Sequence, residues 1–164
     1  MQLSSAPGIA SQVRRLVLET REPIQFLDIT RDVDELVRHA GLREGLVTIF
    51  SRHTTAAVSI QEDEPLLLQD LCDFLHRSAP AENHYRHNDF RVRTVHMHDD
   101  ESPNGHAHCL QLMLGASETV PVCDGKLMLG TWQRIFVVEL DGPRPRIGLP
   151  SGREVVIQAL GAAY

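Results

Sequence analysis

The chain has 164 residues, of which 42% are hydrophobic and 23% are charged, and its formal net charge is −6. This composition is typical of a globular protein, and its acidic balance excludes the basic face that general binding to nucleic acids or membrane surfaces requires. No apolar run is long enough to cross a bilayer. Residues 1–10 lack a signal-peptide pattern and are open to disorder. The three cysteines form neither a CxxC motif nor a disulfide framework, which indicates the reducing cytoplasm.

The first half of the chain contains three predicted strands and two predicted helices. Thr30–Ala40 has a threonine at its start, acids in its first turn and Gly41 beyond its end, which predicts a short helix capped by Thr30. Pro65 suits the first turn of a second helix, which continues to Leu75 and is followed by the helix breaker Pro80. Runs rich in apolar and β-branched residues predict strands at Gln12–Glu19, Gly45–Ser51 and Thr55–Ile60.

The second half is predicted to be mostly strand. Its one helix is Asn104–Leu114, with Asn104 as the cap and Gly115 at the end. Asp124-Gly125 is a strong hairpin signal between two short strands. The strands predicted here are Phe90–Val95, Val120–Val122, Lys126–Leu129, Trp132–Leu140 and Glu154–Leu160. Because these strands follow one another closely, we predict a single α+β domain over residues 1–164, with mostly antiparallel β-sheet and two or three short helices.

Seven of the nine histidines lie between His76 and His108, and two interpretations of this cluster are open. Histidine is the commonest metal ligand, and a neutral imidazole suits zinc and its neighbours better than Mg²⁺, so the cluster favours a transition-metal site. The alternative is a solvated polar loop, which we favour for His96 and His98. On a helix the side chains of His106 and His108 diverge, so only one of the two would face a site.

Four other segments contain candidate functional residues. His53 and Thr54 lie between two predicted strands, where a buried structural histidine is the alternative interpretation. Glu62 is a carboxylate just after the second of these strands, although the acids there also suit a helix N-terminus. The segment around Gly130 is predicted to form either a bulge or a close backbone approach to a ligand, with Trp132 in the core. Arginine suits bidentate phosphate binding, although a lone surface arginine is the favoured interpretation for each one taken singly. The candidates are Arg86, Arg91, Arg93, Arg144 and Arg146.

A set of longer motifs resembles one known family over nearly the whole chain. The motifs occur in the order HTTAAV, QEDEPLLLQDL, YRHND, NGHAHCLQLMLG and VPVCDGKLMLGTWQRIFVVELDGPR. Together they resemble the YjbQ-like family, which is also labelled secondary thiamine-phosphate synthase. The resemblance implies a YjbQ-like α+β fold, a homotrimer, and a site near a subunit interface that binds a small-molecule substrate.

The same resemblance implies ligands and roles for individual residues. It implies that His53, His87 and His108 bind a divalent metal, which we expect to be zinc, with Mg²⁺ as the alternative for a diphosphate substrate. It implies catalytic roles for Glu62, Thr131 and Gln133. The residues then expected to bind substrate are Thr54, Lys126, Trp132 and Arg144.

The predicted function is that of a metal-dependent enzyme acting on a small phosphorylated substrate. The named reaction is that of a thiamine-phosphate synthase, a transferase that joins a pyrimidine diphosphate to a thiazole phosphate and releases pyrophosphate. One alternative is a trimeric module that binds a metal or small ligand without catalysis, and another is a structural protein whose histidines stabilise the trimer.

Overall fold

A computed structural model describes residues 8–98, 101–145 and 152–164. Its strands are β1 (Ile9–Leu18), β2 (Gln25–Asp28), β3 (Leu42–Ser51), β4 (Ala56–Glu62), β5 (Ser117–Cys123), β6 (Lys126–Leu127), β7 (Gln133–Glu139) and β8 (Arg153–Ala163). Its helices are α1 (Thr30–His39), α2 (Pro65–Ser78), a short 3₁₀ helix (Arg86–Asn88) and α3 (Gly105–Leu114). The predicted α+β class, antiparallel pairing and single domain are confirmed.

Two antiparallel sheets form the framework of the fold. The larger sheet has the strand order β1-β8-β3-β5-β6, and the smaller one has the order β2-β7-β4. The inner face of the larger sheet, with Val47 and Ile157, packs against α1 and against Val58 and Val137 of the smaller sheet. The opposite face of the smaller sheet packs against α2 and α3, and this second core cluster includes Phe136.

The layering explains the hydrophobic patterns of the strands. Ile135–Glu139 of β7 is fully buried, because the smaller sheet is covered on both faces. Strand β5 instead alternates between exposed and more buried positions, as expected for a sheet with one packed face. Among the described residues, nothing covers the outer face of the larger sheet, which bears Val13, Leu46 and Leu160.

One predicted strand is absent from the structure, and one observed strand was not predicted. Residues 90–92 form a turn and residues 93–95 are irregular, because the Asp89 side chain accepts a hydrogen bond from the Arg91 backbone N–H and the Asp89 carbonyl accepts from Val92 and Arg93. Strand β2 was not predicted, and its four residues offer little room for a recognisable alternation. It pairs with β7 from Gln25↔Glu139 to Asp28↔Phe136.

Details at the ends of elements also differ from the predictions. Thr30 is the first residue of α1 rather than its cap, and its backbone N–H donates to Asp28 Oδ1 at 2.8 Å. Trp132 is 69% exposed, so its predicted core position is wrong. Ile9 and Ala10 belong to β1, whereas residues 1–7 of the segment considered for disorder lie outside the described residues. No helix in the described ranges is both long and apolar enough to span a bilayer.

Candidate functional site

His53 lies on the loop from β3 to β4 and is held by a hydrogen bond from the last strand. The Glu154 backbone N–H donates to His53 Nε2 at 2.7 Å. A ring nitrogen that accepts carries no proton, so the proton of the neutral ring is on Nδ1. Burial and the nearby Arg153 guanidinium lower the pKa of His53 below its ordinary value. His53 is therefore a neutral hydrogen-bond donor at neutral pH.

A cleft of about 300 Å³ opens beside His53. Its lining residues are Arg52, His53, Thr54, Thr55, Arg144, Gly152 and Arg153. The predicted substrate-binding residues Thr54 and Arg144 thus lie in the same cleft as His53. Arg146, the other arginine of that segment, lies outside the described residues. Among the described lining residues there are three arginines and no carboxylate, so the cleft suits an anion.

Behind the cleft, Glu139 and Arg153 form a buried ion pair. Arg153 donates from Nε to Glu139 Oε2 at 2.7 Å and also from Nη2 to Oε1. Glu139 accepts further bonds from the Thr20 hydroxyl at 2.9 Å and from the backbone N–H groups of residues 140 and 141. Burial would raise the pKa of Glu139, but the hydrogen bonds and charge of Arg153 outweigh it and lower the pKa.

Asp141 connects this cleft to helix α3. Its carboxylate oxygen Oδ2 accepts from Arg144 Nη2 at 2.6 Å and from Asn104 Nδ2 at 3.0 Å. The backbone of Arg144 is fixed as well, because it forms a two-way β-bridge with Thr20 at 2.7 and 3.1 Å. The guanidinium of Arg144 and the start of α3 are therefore held by one buried carboxylate.

His87 and His108 form a separate histidine pair, on the 3₁₀ helix and α3. Their ring centroids are 4.6 Å apart in an edge-to-face contact. Arg93 Nη1 lies 3.3 Å from His87 Nε2, and Arg93 is paired with Glu101. Burial, followed by the neighbouring His87, lowers the pKa of His108, so His108 is neutral and able to accept a proton at neutral pH.

The N-terminus of α3 is capped by a residue that lies far away in sequence. Asn88 Oδ1 accepts from the backbone N–H groups of Asn104 and Gly105 at 3.1 and 2.9 Å. The predicted cap, Asn104, is at the N-cap position, but its side chain binds Asp141 instead. Because Asn88 follows His87 directly, this cap holds the His87–His108 contact in place.

The other clustered histidines are separate from this pair. His106 faces Tyr85, with ring centroids 6.4 Å apart, so the two histidines of α3 diverge as predicted. His76, His84, His96 and His98 are exposed. Of the acids after β4, Glu64 caps α2 by accepting from the backbone N–H groups of Leu66 and Leu67.

Several predicted site residues lie at the other end of the protomer. Glu62 pairs with Gln133 at one end of the β4–β7 ladder, whereas Ala56, next to the His53 loop, pairs with Glu139 at the other end. Six residue steps of a strand span about 20 Å. The remote residues are Glu62, Lys126, Thr131, Trp132 and Gln133. In one protomer these residues do not join the cleft, and Gln133 Oε1 instead accepts from Gly130 N–H.

The three histidines expected to bind metal do not form one ligand set within a protomer. Over the described ranges, one group of three potential metal ligands has its ligand atoms within 4.8 Å of one another. It consists of Glu44, Cys123 and Asp124, at one end of the larger sheet. In addition, His53 Nε2 already accepts a backbone hydrogen bond. The geometry of one chain therefore does not fit a three-histidine metal centre, and zinc remains a prediction.

Sequence reasoning missed Glu139, Asp141 and Arg153, which organise the cleft. A signal was present, because Glu139 and Asp141 interrupt a strongly apolar run in Val137-Val138-Glu139-Leu140-Asp141. Charged residues are almost never fully buried unless they are paired, so acids inside a core strand predict a buried partner. The partner could not be named from sequence, since Arg153 belongs to a different strand, β8.

We expect the free energy of unfolding to fall as the pH is lowered from 7.5 to 5.5 at fixed protein concentration. The pKa values of His53, His106 and His108 are lowered in the folded state, chiefly by burial. The unfolded chain therefore binds more protons just below pH 6.5, which destabilises the fold there. Urea unfolding at a series of pH values measures how steeply the free energy of unfolding changes with pH. His108→Asn is expected to reduce this pH dependence and Thr54→Ser to leave it unchanged, whereas a flat profile for the unsubstituted protein would refute the prediction.

Comparisons with known proteins agree with the fold and the motifs. The family model for UPF0047 protein YjbQ-like matches residues 14–162. A UPF0047 protein of Methanothermobacter thermautotrophicus is 38% identical over 133 residues, which cover 81% of this chain and 85% of that protein. A second UPF0047 protein, from Archaeoglobus fulgidus, is also 38% identical, over 88% of this chain and 98% of its own length.

Solved structures show the same architecture. A crystal structure from Sulfolobus solfataricus, described as a YbjQ-like protein of unknown function, superposes with a TM-score of 0.81 at 32% identity, covering 94% of this chain and 99% of that one. A hypothetical protein from Aeropyrum pernix gives a TM-score of 0.77 at 35% identity, covering 92% and 98% of the two chains. Because the family model matches nearly the whole of this chain, the chain belongs to the YjbQ-like UPF0047 family.

Proposed function

We propose that this protein is an enzyme that acts on a small phosphorylated substrate held in the cleft beside His53. The observation that carries the proposal is the convergence of Arg52, Arg144 and Arg153 with His53 in one small cleft, without a carboxylate among its described lining residues. The acidic partners lie behind or beside the arginines, so the guanidinium groups are held in position for a phosphate.

The proposed roles of His53 and His108 follow from their protonation states. His53, with its proton on Nδ1, donates a hydrogen bond to a phosphoryl oxygen, while Arg144 supplies charge. His108 is neutral and is the group proposed to accept a proton where the reaction releases one. No step of this scheme uses a metal.

Thiamine-phosphate synthesis is the named reaction that we propose to test first, on the ground of the family resemblance. In this reaction the bond from the pyrimidine methylene carbon to the diphosphate oxygen breaks, and the thiazole nitrogen forms a new bond to that carbon. Pyrophosphate carries away the electron pair, so stabilising this leaving group is the main demand. Arginines in a small cleft meet that demand.

Anion binding gives the first test of the proposal. We expect calorimetric titration with pyrophosphate to show binding that weakens about 10- to 100-fold in Arg144→Gln, since one charge-assisted hydrogen-bonded contact is lost. Arg91→Gln is the matched control, because Arg91 is exposed and paired with Asp89 outside the cleft. Equal binding by both variants would refute the cleft as the anion site.

Turnover and metal content separate the remaining alternatives. Pyrophosphate release from a pyrimidine diphosphate and a thiazole phosphate tests catalysis, and binding without turnover on any phosphorylated substrate would favour the non-catalytic module.

Mass spectrometry of the purified protein and of His53→Ala, His87→Ala and His108→Ala tests the zinc prediction. About one metal per chain, lost in each variant, would support it.

We also propose that the outer face of the larger sheet is the surface through which copies of the chain form a homotrimer. Leu46 and Leu160 are directly paired across β3 and β8 and are 51% and 50% exposed, and Val13 of β1 is exposed on the same face. Exposed apolar side chains grouped on one uncovered sheet face are typical of an interaction surface. A neighbouring copy could also bring the remote residues, such as Glu62 and Gln133, to the cleft.

Leu46→Glu is expected to convert the assembly to monomers, because it places a charge in the centre of the proposed interface. Sedimentation equilibrium measures the mass of the assembly directly. Thr119→Glu, farther toward the β5 edge of the same sheet, is the milder comparison. If the unsubstituted protein sediments as a monomer, or the Leu46→Glu variant as a trimer, the assignment of this face is wrong.

A further inference from the structure

A second, apolar cleft adjoins the anion cleft and shares part of its rim. It has a volume of about 270 Å³ and is lined by Phe50, Ser51, Arg52, His53, Thr54, Gln111 and Ala116. Three of these residues, Arg52, His53 and Thr54, also line the anion cleft. The two clefts therefore form one bipartite site, with the His53 ring at the boundary.

The two halves differ in chemistry. The anion cleft is built from arginines, whereas the adjoining cleft has the exposed ring of Phe50 and the small side chain of Ala116, with Gln111 as a neutral polar group. Small ligand sites combine apolar walls with a few polar groups that fix orientation. The second cleft suits a compact apolar or aromatic group with a hydrogen-bonding atom.

Helix α3 connects the second cleft to the histidine pair. Gln111 follows His108 by three residues, so the two side chains are neighbours on one helix face. His108 in turn contacts His87. Gln111, which lines the apolar cleft, is therefore within one helical turn of the proposed proton acceptor.

We infer that the substrate is a phosphate ester of a compact apolar or aromatic group, with the phosphate in the arginine cleft and the organic group between Phe50, Gln111 and Ala116. This inference rests on the proposed function and adds the class of organic group and the residues that select it. Phe50 and Ala116 are assigned as specificity-determining residues, since they set the walls and the size of the second cleft.

Competitive binding of inorganic phosphate and phenyl phosphate to the assembled protein tests the inference. We expect phenyl phosphate to bind about tenfold more tightly than inorganic phosphate, because it buries additional apolar surface. Ala116→Leu is expected to abolish that preference by filling the second cleft, and Phe50→Ala to reduce it. In both variants the affinity for inorganic phosphate is expected to be unchanged, and in Ala116→Leu the sedimentation mass is expected to be unchanged as well.

The outcomes distinguish this inference from the function on which it rests. If inorganic phosphate binds and is weakened by Arg144→Gln, but phenyl phosphate shows no preference that Ala116→Leu removes, the bipartite site is wrong and the anion cleft stands. If neither anion binds, the proposed function and the inference both fail. Loss of both affinities in Ala116→Leu, with sedimentation mass and unfolding midpoint unchanged, would also overturn the division into two clefts.

Discussion

Replacing Arg153 with methionine is expected to lower the free energy of unfolding by about 3–5 kcal/mol, because it leaves the buried Glu139 carboxylate without its counter-charge. The side chain of Glu139 is fully buried and that of Arg153 is 3% exposed, so water cannot replace the lost partner. Arg153 also donates to the Thr55 carbonyl at 3.0 Å, and that bond is lost as well.

Urea unfolding at pH 7 and fixed protein concentration measures this effect. The double variant Glu139→Leu/Arg153→Met is expected to recover part of the loss, because no unpaired charge remains, although the other donors to Glu139 lose their acceptor. Arg91→Met removes an exposed ion pair and should change stability by no more than about 0.5 kcal/mol. A loss below about 1 kcal/mol in Arg153→Met would contradict the account of a buried pair.

Gly161→Ala is expected to cost about 2–3 kcal/mol, because the added methyl group has no space between β3 and β8. Gly161 is directly opposite Gly45 in the ladder. A Cβ atom on Gly161 would overlap the Glu44 carbonyl oxygen and lie 2.6 Å from the Gly45 Cα atom. Both contacts are with backbone, which cannot rotate away as a side chain could.

The matched control for this prediction is Gly8→Ala. A Cβ atom on Gly8 meets nothing within 4 Å, so we expect its unfolding midpoint to stay close to that of the unsubstituted protein. Thermal unfolding of both variants in parallel makes the comparison. Equal unfolding midpoints would show that β3 and β8 can move apart without loss of stability. That result would contradict the close approach of Gly45 and Gly161.

Most of the fold could be predicted because its elements have local signals. The long strands and α1, α2 and α3 each contain their own pattern of apolar residues, turn residues or proline. The strand predicted at residues 90–95 failed because the side chain and the backbone carbonyl of Asp89 accept the N–H groups of residues 91–93, which strand pairing would need. The cap of α3 could not be identified locally, since Asn88 lies 16 residues before Asn104.

The candidate site was predicted less completely than the fold. His53, Thr54 and Arg144 do lie together, and His87 does contact His108. Sequence could not show that β4 carries Glu62 away from His53, since that depends on the length and direction of a paired strand. Nor could it show that Phe50 and Gln111, from a strand and a helix, line one cleft.

The position of β8 has a consequence for biosynthesis on the ribosome. This strand is the last in the chain, yet it lies between β1 and β3 in the larger sheet. Until it emerges, β1 has no partner in the sheet, and β3 can pair only with β5. Unpaired strand edges promote aggregation, so a nascent chain that stalls before residue 153 would need chaperone protection. The complete sheet, and the His53–Glu154 hydrogen bond with it, can form only after β8 has left the ribosome.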